Sequence, residues 1–215
     1  MYNYICRRIK SNFSESGFLA QDQWRDIEEI YLVENNGDKL PDAFATKAQM
    51  CWDEKSLYVR FICEDPYIWA TMTGQEQPLW EEEVVELFID PEGNGRNYIE
   101  LEVNPLNNVL SLLIPNPDEK GKWRENAKFR LKNLKTSVIN KKNTWITDII
   151  VPFENFADKV RTPLKNGDVW RLNLYRIERS VKEKPEEYML IAWSPTFKND
   201  FHIPQNFGKI TFAGF

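Results

Sequence analysis

The sequence predicts an all-β fold: an antiparallel β-sandwich of two sheets, jelly-roll-like, with one or two short helices. Three observations carry that expectation. Apolar and polar residues alternate with a period of two through most of the chain, turn residues punctuate the alternating runs at close spacing, and helical periodicity is scarce. With 215 residues, 42% of them hydrophobic and 28% charged, the chain is long enough to bury a substantial core as one domain spanning 1–215.

Gln23 to Tyr31 is the first helical candidate, and the turn PFENFA after Pro152 is the second. Ala45 to Trp52 and LYVRFICED (Leu57 to Asp65) follow as strands; in the latter, Leu57, Val59, Phe61 and Cys63 alternate with Tyr58, Arg60, Ile62 and Glu64. EVVELFID (Glu83 to Asp90) and YIELEVN (Tyr98 to Asn104) flank the turn PEGNGR, the pattern of a β-hairpin with a Gly/Asn-rich loop. Further strands are expected at Asn108 to Ile114, Phe129 to Ile139, Thr144 to Val151, Val169 to Ile177, Tyr188 to Trp193 and Gly208 to Phe212. No internal repeat, low-complexity tract or linker interrupts them.

Composition excludes several functions. The 28 basic and 33 acidic residues give a net charge of −5, without the basic footprint of a nucleic-acid binder. His202 is the single histidine, and Cys6, Cys51 and Cys63 form no C-x-x-C pair, which argues against zinc. Any Ser-His or Cys-His hydrolase would have to be built on His202. Three cysteines leave one unpaired in any disulfide scheme and favour a reducing compartment or buried thiols. No run of apolar residues reaches the length of a membrane span, and the N-terminus lacks the apolar core of a signal peptide. A soluble protein is expected, cytoplasmic unless a removed precursor segment had directed it to the periplasm or the exterior.

The hairpin carries the chemistry. One face holds Val85, Leu87, Ile89, Ile99, Leu101 and Val103; the other collects Glu86, Phe88, Tyr98, Glu100, Glu102 and Asn104. Carboxylates gathered on neighbouring strands are tolerated if solvated, paired with arginine or held for function; Arg60, Arg171 and Arg176 are the candidate partners. A wet sheet face with cross-strand ion pairs accounts for the charge pattern alone. Aromatic rings beside carboxylates and amides also suit a saccharide, whose C–H faces stack on rings while its hydroxyls take directed hydrogen bonds. Two carboxylates on one face raise glycoside hydrolysis as an alternative, with Glu86 acting alongside Glu100 or Glu102. In the loop, Asp90, Glu92 and Asn94 place oxygens at alternate positions before a glycine, like the start of an EF-hand, but Leu101 stands where the closing glutamate belongs.

The runs MCWDEKSLYVRFICEDPYIWATM, LWEEEVVELFIDPEGNGRNYIELEVNPLNNVLSLLIP, TWITDIIVPFENF, VWRLNLYRIER and AWSPTFKNDFHIPQNFGKITF resemble, in order, the family 9 carbohydrate-binding modules and especially their stand-alone relatives. The resemblance implies a two-sheet sandwich, often with structural calcium, that binds glucose- or xylose-based saccharides without cleaving them and requires no cofactor for binding. It matches the first sugar-stacking ring to Trp80, the acidic partner to Glu86 and the second ring to Phe201. It also brings Glu102, Asn173, Tyr175 and His202 in as neighbours. Glu102 stands where the binders carry an arginine and Tyr175 where they carry a glutamine, so donors and acceptors are exchanged. An interaction sandwich with a decayed sugar site is the remaining alternative.

Overall fold

The computed structural model describes residues 2–10, 12–74, 76–115, 129–179 and 187–214. Its strands are β1 (Asn3–Arg8), β2 (Glu29–Tyr31), β3 (Val33–Glu34), β4 (Thr46–Trp52), β5 (Ser56–Glu64), β6 (Val84–Asp90) and β7 (Tyr98–Val103). They continue as β8 (Val109–Ile114), β9 (Lys135–Asn140), β10 (Thr144–Pro152), β11 (Val169–Glu178), β12 (Met189–Ala192) and β13 (Gly208–Ala213). The main hydrogen-bonded path runs β8-β7-β6-β11-β13-β1-β4-β5-β10-β9. This single sheet curls until its two halves face each other, and alternate residues of both halves fill the space between. Val85, Leu87, Ile99 and Leu101 from one half meet Met50, Val59, Phe61, Trp145 and Ile149 from the other in one apolar cluster.

The sandwich differs from a purely antiparallel one at its hinge. β1 pairs in parallel with both β13 and β4, so the sheet is mixed. β1 is absent from the strands expected by alternation: Tyr4 and Cys6 turn inward, while Arg7 and Arg8 break the apolar run.

The helical expectation also needs correction. Gln23 to Tyr31 contains only the end of a 3-10 turn, Gln21–Trp24, and then β2. Trp24 and Ile27 have helical spacing because both pack on the outer face of β4 and β5, whereas Ile30 alternates with exposed Glu29 and Tyr31 and enters the main core. Gln49 fastens this segment by donating to the Trp24 and Ile27 carbonyls, 2.8 Å each. PFENFA likewise forms a 3-10 turn, Phe153–Phe156, rather than an α-helix. The expected strand from Phe129 begins only at Lys135.

Both outer faces of the sandwich are covered. The N-terminal segment covers β4 and β5, where Arg60 makes a bidentate pair with Asp148 at 2.6 and 2.7 Å beneath Trp24. On the other half, Leu79, Trp80, Phe201 and Phe207 lie over Val84, Phe88, Tyr98 and Tyr175 in a second apolar cluster. The hairpin face is therefore buried and not wet: Glu86, Glu100 and Glu102 are at most 4% exposed.

Candidate functional site

Strand register assembles the site. β6 and β7 place Glu86 opposite Glu102 and Phe88 opposite Glu100, while β11 sets Tyr175 beside Glu86 and Asn173 beside Phe88. Above this floor, the 3-10 turn Leu79–Glu81 carries Trp80, and the segment ending in the turn Pro204–Asn206 brings in Phe201 and His202. Between floor and cover lies a cavity of about 210 Å³ lined by Trp80, Glu86, Phe88, Glu100, Phe201 and His202, with Arg179, Tyr188, Asn199 and Asp200 also reaching it.

Four of the residues picked out from the sequence, Trp80, Glu86, Phe201 and His202, share that lining. Asn173 and Tyr175 stand behind it as support, and Glu102 is buried opposite Glu86, outside the lining. The Tyr175 ring lies against Phe201 with centroids 4.0 Å apart and planes 16° from parallel. Its hydroxyl donates to the Phe201 carbonyl at 3.2 Å and accepts from Asn173 Nδ2 at 2.6 Å, and the same Nδ2 donates to the Ser194 carbonyl at 2.8 Å. This buried chain fixes the position of one cavity wall.

His202 is fixed equally firmly. Its Nδ1 shares a hydrogen bond of 2.7 Å with the Tyr98 hydroxyl, its backbone N–H donates to Asp200 at 2.8 Å, and Nε2 lies 3.7 Å from a Glu100 carboxylate oxygen. Its ring packs 5.2 Å from Phe88. The histidine thus bridges the floor and the cover.

Two carboxyls of the floor, Glu86 and Glu102, are shifted toward the neutral form. Burial, and then the nearby Glu100 charge, pushes Glu86 well above the usual carboxylate range. Burial drives Glu102 upward too, with further contributions from Glu100 and Glu86 that the Trp80 backbone N–H partly offsets. None of the three arginines considered from the sequence neutralises them. Arg60 is engaged with Asp148, Arg171 donates to the Phe207 and Gln205 carbonyls, and Arg176 points to the opposite face of β11. A protonated carboxyl donates one hydrogen bond and accepts others, which matches the dual character of a sugar hydroxyl. Glu86 and Glu100 both rise from the same sheet floor, whereas the two carboxyl groups of a glycosidase flank the scissile bond.

Arg179 and Asn199 lie outside the strands, and Tyr188, the first residue of the expected strand Tyr188 to Trp193, immediately precedes β12, so alternation does not mark the three as site residues. Arg179 lies over the Tyr188 ring at 5.0 Å and donates to the Trp80 carbonyl at 3.2 Å. A larger trough of about 700 Å³ on the other half is lined by Arg8, Lys10, Lys55, Lys135, Asp53 and Glu54 among others, and contains none of the residues expected from the sequence.

The calcium expectation falls on a turn that closes on itself. Asp90 accepts from the Gly93 and Gly95 N–H groups at 2.8 and 2.7 Å, Asn94 Oδ1 accepts from Arg96 N–H at 2.8 Å, and Glu92 points outward. The turn's own donors thus account for its shape. Among the described residues, converging carboxylates also occur at buried Asp65, Glu83 and Glu178, whose ligand atoms lie within 4.8 Å of one another. Arg176 supplies a cation there, 3.1 Å from Asp65 and hydrogen-bonded to Glu178. Burial, then the Glu178 and Asp65 charges, pushes the Glu83 carboxyl up to about 11, so it is neutral beside that pair.

A sequence model of carbohydrate-binding family 9 matches residues 25–212. The chain belongs to carbohydrate-binding family 9. Among curated relatives, this family 9 chain is 24% identical over 189 residues to endo-1,4-beta-xylanase A of Thermotoga neapolitana, and 24% identical over 192 residues to the enzyme of the same name from Thermotoga maritima. The matches take 88% and 87% of the chain but only 16% of each xylanase. Among solved structures, it aligns with a proposed carbohydrate-binding protein of Bacteroides uniformis at TM-score 0.76 and 18% identity, over 99% of both chains. A family 9 module of Caldicellulosiruptor kristjanssonii in complex with cellotriose aligns at TM-score 0.68 and 14% identity, over 99% of this chain and 94% of that one. The same organism's family 9 module in complex with glucose aligns at 0.65 and 16%, over 97% and 96%. These structural likenesses establish the fold. No helix among the described residues is long and apolar enough to cross a membrane.

Proposed function

We propose that this family 9 module binds a glucose- or xylose-based saccharide without cleaving it, placing one sugar ring in the cavity between Trp80 and Phe201. The observation that carries this reading is the cavity itself. Its volume of about 210 Å³ suits a single pyranose and lies below the ~300–1,000 Å³ typical of drug-sized ligands. Trp80 and Phe201 offer apolar ring surface, while Glu86, Glu100 and His202 offer directed polar contacts. Phe201 presents a fixed wall because Tyr175 backs it, and neutral Glu86 reads hydroxyls without the cost of burying a charge.

Glucose and cellotriose occupy related modules, and the xylanases share a segment with this chain, which supports a role in glycan degradation. The expected affinity is micromolar to millimolar, roughly −8 to −4 kcal/mol. Calorimetric titration with glucose, cellobiose, xylose and xylobiose tests the proposal, with release from aryl glycosides measured alongside. Binding without turnover, weakened at least about tenfold by Trp80→Ala, is expected. Absence of binding to the whole panel, or undiminished binding in Trp80→Ala, would overturn it.

A further inference from the structure

The cavity does not end at its mouth. Tyr188, Leu190 and Asn199 line both the cavity and an adjoining open groove of about 550 Å³, which continues past Asn35 and Asn36 to Phe197. Phe197 is unusual on two counts: the residue is 63% exposed, and its backbone is left-handed with φ of 58°. Bulky side chains rarely adopt that region unless the surroundings impose it.

Here they do. Asn35 is buried and spends its side-chain amide on the turn, accepting from Thr196 N–H at 2.8 Å and donating to Thr196 Oγ1 at 2.6 Å and the Lys198 carbonyl at 2.7 Å. Its carbonyl accepts the Phe197 N–H at 2.9 Å. The ring edge rests on Gly37, where a Cβ would come within 3.1 Å of Phe197 Cε1. A buried polar network therefore holds an apolar ring out in a polar groove. Tyr188, 40% exposed between Phe197 and the cavity, is held in turn by Asn199, which shares hydrogen bonds with its hydroxyl, and by Arg179 over its ring.

We propose that Tyr188 and Phe197, with the Asn36 and Asn199 amides, form a second sugar subsite, so that the protein takes an oligosaccharide of at least two units running from the Trp80 cavity along this groove. The inference rests on the saccharide reading of the cavity. Continuity between the two hollows selects the occupant: a chain seated in the first has its next unit delivered to the second. Braced rings beside polar side chains recur from the cavity, with amides here in place of its carboxyls and imidazole, and they suit a sugar better than an apolar protein surface.

Titration of the whole chain with glucose, cellobiose and cellotriose, and in parallel with xylose and xylobiose, separates the two readings. In one of these series the longer sugars are expected to bind about five- to tenfold tighter than the monosaccharide. Phe197→Asn, which tolerates a left-handed backbone, should erase that gain while leaving monosaccharide affinity and melting temperature unchanged. If monosaccharides bind and longer sugars gain nothing, or if the gain survives in both Phe197→Asn and Tyr188→Ala, the groove proposal is overturned and the cavity reading stands. If no sugar binds, both fall. If Phe197→Asn instead abolishes a concentration-dependent dimer and leaves every sugar affinity intact, the groove is a protein contact and the proposal is equally overturned.

Discussion

The rings of Tyr175 and Phe201 stack at 4.0 Å, so a residue outside the cavity governs the shape of its wall. Tyr175→Leu is expected to weaken saccharide binding severalfold and to cost about 2–4 kcal/mol of stability, as loss of a buried aromatic does. Tyr175→Phe keeps the stack and loses only the hydroxyl held between Asn173 and the Phe201 carbonyl, for about 1 kcal/mol. Calorimetry paired with thermal melts checks both; equal affinities for the Leu variant and wild type would refute the bracing role.

Buried carboxyls give the fold a pH dependence of known sign. Glu102 is raised from 4.5 by burial, then by Glu100 and Glu86, so the folded chain binds more protons than the unfolded one. That stabilisation is complete below 4.5 and is lost progressively as pH climbs through the folded value. Glu178, pushed up to about 7, and Glu83, pushed up to about 11, both chiefly by burial, act in the same direction. Glu102→Gln mimics the neutral acid. It should melt with wild type near about pH 4 and above it near about pH 8, by about 2–4 °C per kcal/mol. A variant melting lower at the higher pH would contradict a neutral Glu102.

Gly208 opens β13 directly beneath Trp193. A Cβ there would clash with Trp193 Cζ3, and the indole has little freedom to retreat because Tyr2 and Tyr4 meet it edge-on. Gly208→Ala should therefore cost about 1–3 kcal/mol or more. Chemical denaturation measures it; a neutral result would mean that the ring shifts freely.

Cys6, Cys51 and Cys63 are all buried as free thiols. Burial pushes Cys63 up to about 12 and raises the other two as well, so thiolate is scarce at neutral pH. Ellman's reagent should label none of them in the native protein and all 3 after denaturation, and reductant should leave the melting temperature unchanged. Rapid native labelling would show that one of these positions opens readily.

The β6–β7 hairpin was legible because its alternation and its turn both fix register: pairing Leu87 with Leu101 brings Glu86 to Glu102. The same alternation could not reveal what covers the second face. Glu86, Glu100 and Glu102 look solvated in a strand pattern, and the cover of Leu79, Trp80, Phe201 and Phe207, the last two returning from far along the chain, buries them. Sequence separation also hid the partners of Arg60 and Arg176, which the pattern brought near the site and the structure pairs elsewhere. At Gln23 to Tyr31, local spacing was overridden by tertiary contact: a half-turn docks Trp24 and Ile27, and pairing with β4 claims the rest. Of the residues brought forward from the sequence, strand alternation located Glu86, while Trp80, Phe201 and His202 sit on turns whose placement the alternation does not specify.

The parallel seam of β1 and β13 joins the first and last strands of the module, so the sandwich closes only once both are in place. β13 lies between β1 and β11, so until it docks, strands from the two ends of the described chain both present open edges. A module lacking residues beyond 207 would carry two adhesive borders where the finished module has a continuous interior, and joining them requires closing a loop that spans most of the described residues. A module cut before β13 is expected to expose the β1 and β11 edges and to self-associate, which sedimentation of the shortened module checks.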